Sequence, residues 1–330
     1  MKQNAWTAHL APRLAVAACL ALAAFGPAAD ADAQEKFPSK LIEVVTHAGV
    51  GGGTDLTARM MMVQAPAAFG TELSVVNKTG GSGSAALGYA DGKPKDGHTI
   101  LLLTQTHLLT LMQGRAGDLK PGDLVGLARA TDDPQILMVG GSSPYKTAKE
   151  FIEAAKTKSM KFGTTQIGSV DHIAVAGFAA EAGLAKPNVI PFRGGGDIVV
   201  NLVGGNLDAA LLNFAEAESQ IKAGEVRALL TFAAERISSL PDTPTGKETG
   251  IDAVYSTVRG FAVLKGTPED RIKVLEEGLL KAMNGKIYQD YLKTSGQSPK
   301  SVVGREEWQK ELDQFVATGR EALASLGIIK

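Results

Sequence analysis

Three times in this chain an apolar run gives way to a glycine-rich turn, a polar residue and then a helical pattern. The turns are Gly51-Gly52-Gly53-Thr54-Asp55, Gly168-Ser169-Val170-Asp171-His172 and Arg193-Gly194-Gly195-Gly196-Asp197. Strand, tight turn and helix in that order build parallel α/β units, because each helix must return the chain over the sheet. Apolar β-type runs at 41–45, 72–76, 99–104, 136–139, 161–164, 189–192, 209–213 and 228–232 are predicted strands. Helical patterns are predicted over 55–68, 85–91, 148–156, 171–182, 197–203, 215–223, 268–283, 286–295 and 306–326. In open α/β sheets ligands sit beyond the carboxyl ends of the strands, where these turns lie. Each glycine could equally serve only its own turn, but three loops with one grammar favour a site.

The front of the chain decides the compartment. Lys2 and Arg13 precede an apolar run from Leu14 to Phe25, and Ala31-Asp32-Ala33 gives the small-x-small cleavage pattern, so residues 1–33 read as a secretory signal peptide. The run is shorter than the roughly 20 residues that span a bilayer. A lipid anchor on Cys19 is the weaker reading, since only five apolar residues separate it from Arg13. Cys19 is the only cysteine, so the exported chain has no disulfide, thiolate metal site or thiol nucleophile. Its 297 remaining residues (330 less 33) must be stable through their core alone and suggest two domains. The formal charge is −1 with no basic patch, which argues against nucleic acid. Trp308 is the one tryptophan left after cleavage; this disfavours sugar stacking, and its polar helix gives it a packing role.

The chemistry-bearing residues resist a catalytic reading. Gly49-Val50-Gly51-Gly52-Gly53-Thr54 approaches G-x-G-x-x-G, but ends in Thr, and a pyridine nucleotide is not expected outside the cytoplasm. Gly80-Gly81-Ser82-Gly83-Ser84 lacks the last glycine of a nucleophile elbow. His47, His98, His107 and His172 share no metal-ligand spacing. His98 follows Asp96-Gly97 and is expected on the surface, whereas His47 and His107 fall beyond strand ends, where they could meet a ligand or bond their own loops. Asp55, Asp171 and Asp197 follow glycines at helix starts and are expected as N-caps. No cofactor is implied. The loop from Ala48 to Asp55, with free N–H groups at a helix start, is an anion seat.

A longer set of fragments then fixes a resemblance. Phe37-Pro38-Ser39-Lys40, Gly51 to Asp55 with Ala58-Arg59, Val75-Val76-Asn77-Lys78 and Gly80-Gly81-Ser82-Gly83 open it. Pro94 to Thr99, Gly168-Ser169 with His172, Pro191 to Gly195 and Leu202 to Asp208 continue it. Ile221 to Gly224, Val226 to Leu229, Leu240 to Thr245 and Gly266-Thr267-Pro268 close it. In this order the chain resembles the periplasmic solute receptors of tripartite tricarboxylate transporters, the Bug family, across nearly all of its exported length.

The resemblance implies a type II periplasmic-binding fold: two α/β domains, joined by two crossover segments, closing on a solute. One domain would be 37–137 plus 260–330 and the other 138–259, with crossovers near 133–138 and 255–261. It implies a small organic acid as ligand (a dicarboxylate, a tricarboxylate or an aromatic acid), membrane transporter subunits as partners, a periplasmic monomer, and no catalysis. It puts His47, Ala48, Gly49, Val50, Gly51, Gly52 and Asp55 around one carboxylate, with Gly168, Ser169 and His172 facing it. Thr104, Gln105 and Asn213 are expected contacts to the rest of the solute, and Arg193 to a second carboxylate. Where the family has a Pro-Phe-Ala-Pro-like run, this chain has Thr46-His47-Ala48-Gly49-Val50, one residue longer, so His47 stands at the mouth of the site. The other class of reading is a periplasmic enzyme on a carboxylate with His47 or His107 as base.

Overall fold

Apolar runs alternating with helical patterns build two lobes, each a twisted sheet with an apolar layer on both faces. The structure, a computed structural model, describes residues 36–330, so the signal-peptide reading of 1–33 lies outside the described residues. The first lobe is built on β1 (Ile42–Thr46), β2 (Leu73–Asn77) and β3 (Thr99–Thr104), paired in parallel. The second is built on β5 (Lys161–Thr164), β6 (Asn188–Pro191) and β7 (Ala209–Asn213), also parallel, with β8 (Val226–Thr231) at its far edge.

Two long strands join the lobes and run against their neighbours, so each sheet is mixed rather than purely parallel. Strand β4 (Leu124–Gly140) pairs with β9 (Ser256–Leu264) through its first half, then with β7 and β8 through its second. Strand β9 pairs in turn with β3, and the chain passes between the sheets at Pro134–Gln135 and again at Tyr255–Ser256. Only 136–139 of β4, and none of β9, is predicted from apolar runs, because both carry alternating polar residues where they cross.

The helices follow the sequence pattern with two differences. The predicted helix over 55–68 is two: α1 (Gly53–Met62) and, after a break at Val63–Gln64, α2 (Ala65–Phe69) with Pro66 in its first turn. After α3 (Ser84–Asp91), an unpredicted helix α4 (Gln105–Met112) starts directly at the end of β3. The second lobe adds α5 (Ala148–Ala155), α6 (Val170–Glu181), α7 (Gly195–Val203) and α8 (Phe214–Lys222). The Thr147/Glu150 capping box is present, Glu150 N–H donating to Thr147 Oγ1 at 3.2 Å. The chain ends in α9 (Glu269–Met283), α10 (Lys286–Thr294) and α11 (Arg305–Ser325).

None of the three aspartates is an N-cap. The caps are Gly52, Ser169 and Gly194, and the aspartates lie inside the first turns. The reason is that the glycine turns are one or two residues shorter than expected, and the helices begin within them. His98 is buried rather than on the surface: its Nε2 accepts from the Ser39 amide at 3.2 Å and its ring meets Phe37 edge-on. Trp308 packs as expected, donating from Nε1 to the Phe261 carbonyl at 3.0 Å.

Candidate cleft between the lobes

The strand ends of both lobes face one another, and the helices that follow them aim their N-termini at the same space. Residues at the starts of α1, α3, α4, α6, α7 and α8 line one cavity of about 440 Å³. All six helices have at least eight residues, and each start adds partial positive charge and unpaired N–H groups.

In the first lobe, the loop after β1 is held by Asp55. Its carboxylate accepts from Gly51 N–H, Arg59 Nε and Asn77 Nδ2, each at 2.8 Å, while Asn77 Nδ2 also donates to the Ala48 carbonyl at 2.9 Å. Burial opposes ionisation of Asp55, but these hydrogen bonds from Arg59, Asn77 and Gly51 outweigh it and hold the carboxyl below its ordinary value. Gly51 takes φ +82°, a conformation that glycine alone adopts without strain. The loop after β2 is more unusual. Gly80, Gly81, Ser82 and Gly83 all have positive φ, and Ser82 is the one non-glycine residue so placed among the described residues. Thr110 Oγ1 donates to its carbonyl at 2.7 Å, and its hydroxyl donates to Gln166 Oε1 of the opposite lobe.

His47 and His107 sit edge to face, with ring centroids 4.4 Å apart. His107 accepts the Thr104 amide on Nδ1 at 3.1 Å, so its remaining proton lies on Nε2, and it bonds its own helix start. Burial, reinforced by Arg259, pushes His47 down to about 4, so both rings are neutral at ordinary pH.

The floor of the cleft is the pair of crossing strands. Directly opposed residues of an antiparallel pair share a face, and every second residue along a strand does too. Thr104 is opposite Arg259, which is opposite Thr131; Asp133 is opposite Thr257, and Gln135 opposite Asn213. Seven buried polar residues therefore share one face. At its centre Arg259 donates to Asp133 Oδ2 at 2.7 Å, to Asn213 Oδ1 at 3.1 Å and to Thr54 Oγ1 at 3.4 Å. One guanidinium thus ties a helix start of each lobe to both crossing strands. Burial pushes the Asp133 carboxyl up to about 6, although Arg259 pulls against it. Burial likewise pushes Glu216 up to about 7, opposed by the Asn213 amide and Arg259 and aided by Asp133 and Asp171.

Of the residues expected from sequence, His47, Ala48, Gly49, Gly52, Thr104, Arg193 and Asn213 line the cavity. The others stand behind it. Val50 is exposed, and Gly51 and Asp55 hold the first loop in shape. Gln105 spans to the edge of β9, donating to the Ser256 carbonyl and accepting from Val258 N–H, both at 3.0 Å. Ser169 caps α6, and His172 accepts the Gly168 amide at 2.9 Å. The sequence reading missed Arg259, Gln135, Thr257, Ser82, Gln166 and Glu216, which also line the cavity. The signal for the floor was present in the spacing Thr131-x-Asp133-x-Gln135 and Thr257-x-Arg259. Among the described residues no cluster of three His, Cys, Asp or Glu could hold a metal ion.

With this geometry in view, likeness to known proteins is informative. The model of the tripartite tricarboxylate transporter family receptor matches residues 57–319. A protein encoded in the tcbD–tcbE intergenic region of Pseudomonas sp. strain P51 is 28% identical over 325 residues, covering 92% of this chain and 94% of that one. A TctC solute-binding protein from Polaromonas, solved without ligand, superposes with a TM-score of 0.68 at 28% identity, over 88% of this chain and 99% of that one. MatC from Rhodopseudomonas palustris, solved with malate bound, gives a TM-score of 0.76 at 22% identity, over 87% of this chain and 100% of that one.

Proposed function

Because the chain belongs to the receptor family of tripartite tricarboxylate transporters, whose members are periplasmic binding proteins rather than enzymes, we propose that it captures a small carboxylate between its lobes. In this reading the lobes, divided where the chain crosses at Pro134–Gln135 and Tyr255–Ser256, close on the acid as a monomer. The closed form then delivers it to the membrane subunits of a transporter, after export through a leader cleaved at Ala33.

The observation that carries the proposal is the convergence of six helix N-termini and Arg259 on one cavity. At ~0.3–1 kcal/mol each, six helix starts supply ~2–6 kcal/mol. Micromolar affinity requires about 8 kcal/mol. The remainder must come from direct hydrogen bonds to the anion, at roughly 1.5–3 kcal/mol each. The free backbone N–H groups of the first loop, the Thr104 hydroxyl and Arg193 are placed to give them. Excluding water strengthens every one of these, which is why closure and binding belong together. An acid held by MatC agrees with this reading.

A thermal-shift screen of carboxylic acids tests it, since a ligand of the folded state raises its stability. Several acids should raise the melting temperature; turnover of an acid with no such shift would support the enzyme reading with His47 or His107 as base. A second expectation concerns the seat. Gly52 has φ −72°, which any residue tolerates, but a Cβ there would lie 3.2 Å from the Gly49 carbonyl at the cavity wall. Gly52→Leu should abolish the shift while the unliganded protein unfolds as before, and unchanged affinity would move the site elsewhere.

The pH dependence follows from Glu216. Its carboxyl is already raised to about 7, and an anion bound beside it raises it further, so binding takes up a proton and weakens as pH rises. A one-unit rise on binding makes an acid without a cationic group ~5-fold weaker at pH 8 than at pH 6. Titration calorimetry at the two pH values checks this. Glu216→Gln should flatten the difference, and a wild-type affinity that rises with pH would contradict it.

A further inference from the structure

Two buried side-chain oxygens of the floor have no partner: the Thr104 hydroxyl, which can donate as well as accept, and Gln135 Oε1, which can only accept. Asn213 donates from Nδ2 to the Asp133 and Pro134 carbonyls at 2.8 and 3.2 Å, and its Oδ1 accepts from Arg259. Asp133 is paired to Arg259 as well. Gln135 donates from Nε2 to Thr257 Oγ1 at 3.4 Å, yet its Oε1 has no partner, although the residue is only 2% exposed and lines the cavity. An amide oxygen can only accept. Buried polar groups are almost always satisfied, so an unpaired amide oxygen on a residue that lines the cavity calls for a donor from the cavity's contents.

A second acceptor stands beside it. Gln135 is in register with Asn213, and Glu216 lies one helical turn on, its Oε2 accepting the Asn213 amide at 3.0 Å. Glu216 also lines the cavity. Both lobes present helix starts, and the second adds Arg193, but carboxylates line the cavity only on the second-lobe side: no carboxylate of the first lobe reaches it. Charged acceptors therefore meet a solute from one side alone.

We propose that the solute is a substituted acid, seated by its carboxylate on the first lobe and presenting a hydroxyl or ammonium donor to Gln135 and Glu216 on the second-lobe side. This rests on the carboxylate reading above and narrows it. Unsubstituted acids leave Gln135 Oε1 unpaired under a closed cleft, and the cavity discriminates against them by that omission.

Matched sets separate the two claims: propionate, lactate and alanine; succinate, malate and aspartate; glutarate, 2-hydroxyglutarate and glutamate; phenylacetate, mandelate and phenylglycine. In the best-bound set, calorimetry should find the hydroxy or amino member ~10-fold or more tighter than the plain acid, the size expected of one buried hydrogen bond. Gln135→Met should bring that ratio to within about twofold of unity, its fold being checked by unliganded unfolding. Should that variant not fold, the wild-type ratio alone decides. Glu216→Gln identifies the donor: it weakens the amino acid more than the hydroxy acid if an ammonium is read there, and both alike if a hydroxyl is. A plain acid that binds as tightly as its substituted partners would overturn the proposal and leave the carboxylate receptor standing. It would mean that the Gln135 amide faces the other way, offering an N–H. Binding of no member in any set would overturn both.

Discussion

Replacing Arg259 with methionine is expected to destabilise the protein by ~3–5 kcal/mol at pH 8, because it leaves the Asp133 carboxylate buried without its partner. Solvent cannot relieve that charge: Asp133 is 3% exposed and Arg259 2%. The penalty should depend on pH with a definite sign. In the wild type Asp133 is held at about 6, above its unfolded value near 4, so ionising it already costs the folded state stability as pH rises toward 6. Without Arg259 its folded value climbs higher still, and the cost goes on growing above pH 6. The gap between variant and wild type should therefore be widest at pH 8 and narrow at pH 5, where both proteins carry the proton. Urea denaturation at the two pH values measures it. Acid binding should fall at least ~10-fold in parallel, as a hydrogen-bonded cation is lost from the floor. Arg259→Lys should restore charge but not the fork that reaches Asp133, Asn213 and Thr54 together, so it recovers stability only in part. Equal stability of wild type and methionine variant at pH 8 would mean that Arg259 does not hold the floor together.

The next residue gives the second large effect. A Cβ on Gly260 would lie 2.4 Å from Trp308 Cε2 and 2.5 Å from Cζ2, in a ring that is itself buried and bonded through Nε1 to the Phe261 carbonyl. The indole cannot retreat without breaking that bond. Gly260→Ala should thus cost ~3 kcal/mol, the upper part of the range for overpacking. If the clash is the cause, the same substitution in a Trp308→Leu background should cost at least ~1 kcal/mol less, a coupling measurable by a double-mutant cycle. Strict additivity would mean that the backbone, rather than the indole, objects to alanine. The C-terminal helix α11 is docked on the crossing strand through this contact, so the variant should also loosen the hinge.

How far the sequence foretold this molecule depended on how each part announces itself. The glycine loops of the cavity were legible because of their backbone: positive φ at Gly51, Gly80, Gly81 and Gly83 admits little else, and such runs stand out. Their helices were legible through periodicity, to within a residue or two at most ends. The floor was not. In β4 the segment Thr131-Asp132-Asp133-Pro134-Gln135 has no apolar run and contains a proline, so it reads as a loop. It is a buried strand all the same, because its polar side chains satisfy one another and the cavity rather than water. Arg259 was hidden for the same reason, since a lone arginine in a β-type segment looks like a solvated face. Helix α4 was missed because Thr104 serves both as the last residue of β3 and as the residue before the helix, leaving no linker to mark the change. His47 lines the cavity, but its partner in space, His107, comes from another strand end, a pairing that sequence distance conceals.

That the floor of the cleft is also the place where the chain crosses between lobes has an evolutionary consequence. In many binding proteins a pocket can be rewritten by changing side chains that have no other duty. On the proposed reading, a substitution at Gln135, Thr257 or Arg259 that alters which acid is preferred would also alter the strands that join the lobes. Selectivity and mechanical stiffness would then be inherited together. A lineage that shifts its diet through these positions must retune its hinge in the same step, whereas changes confined to the glycine loops leave the hinge as it was.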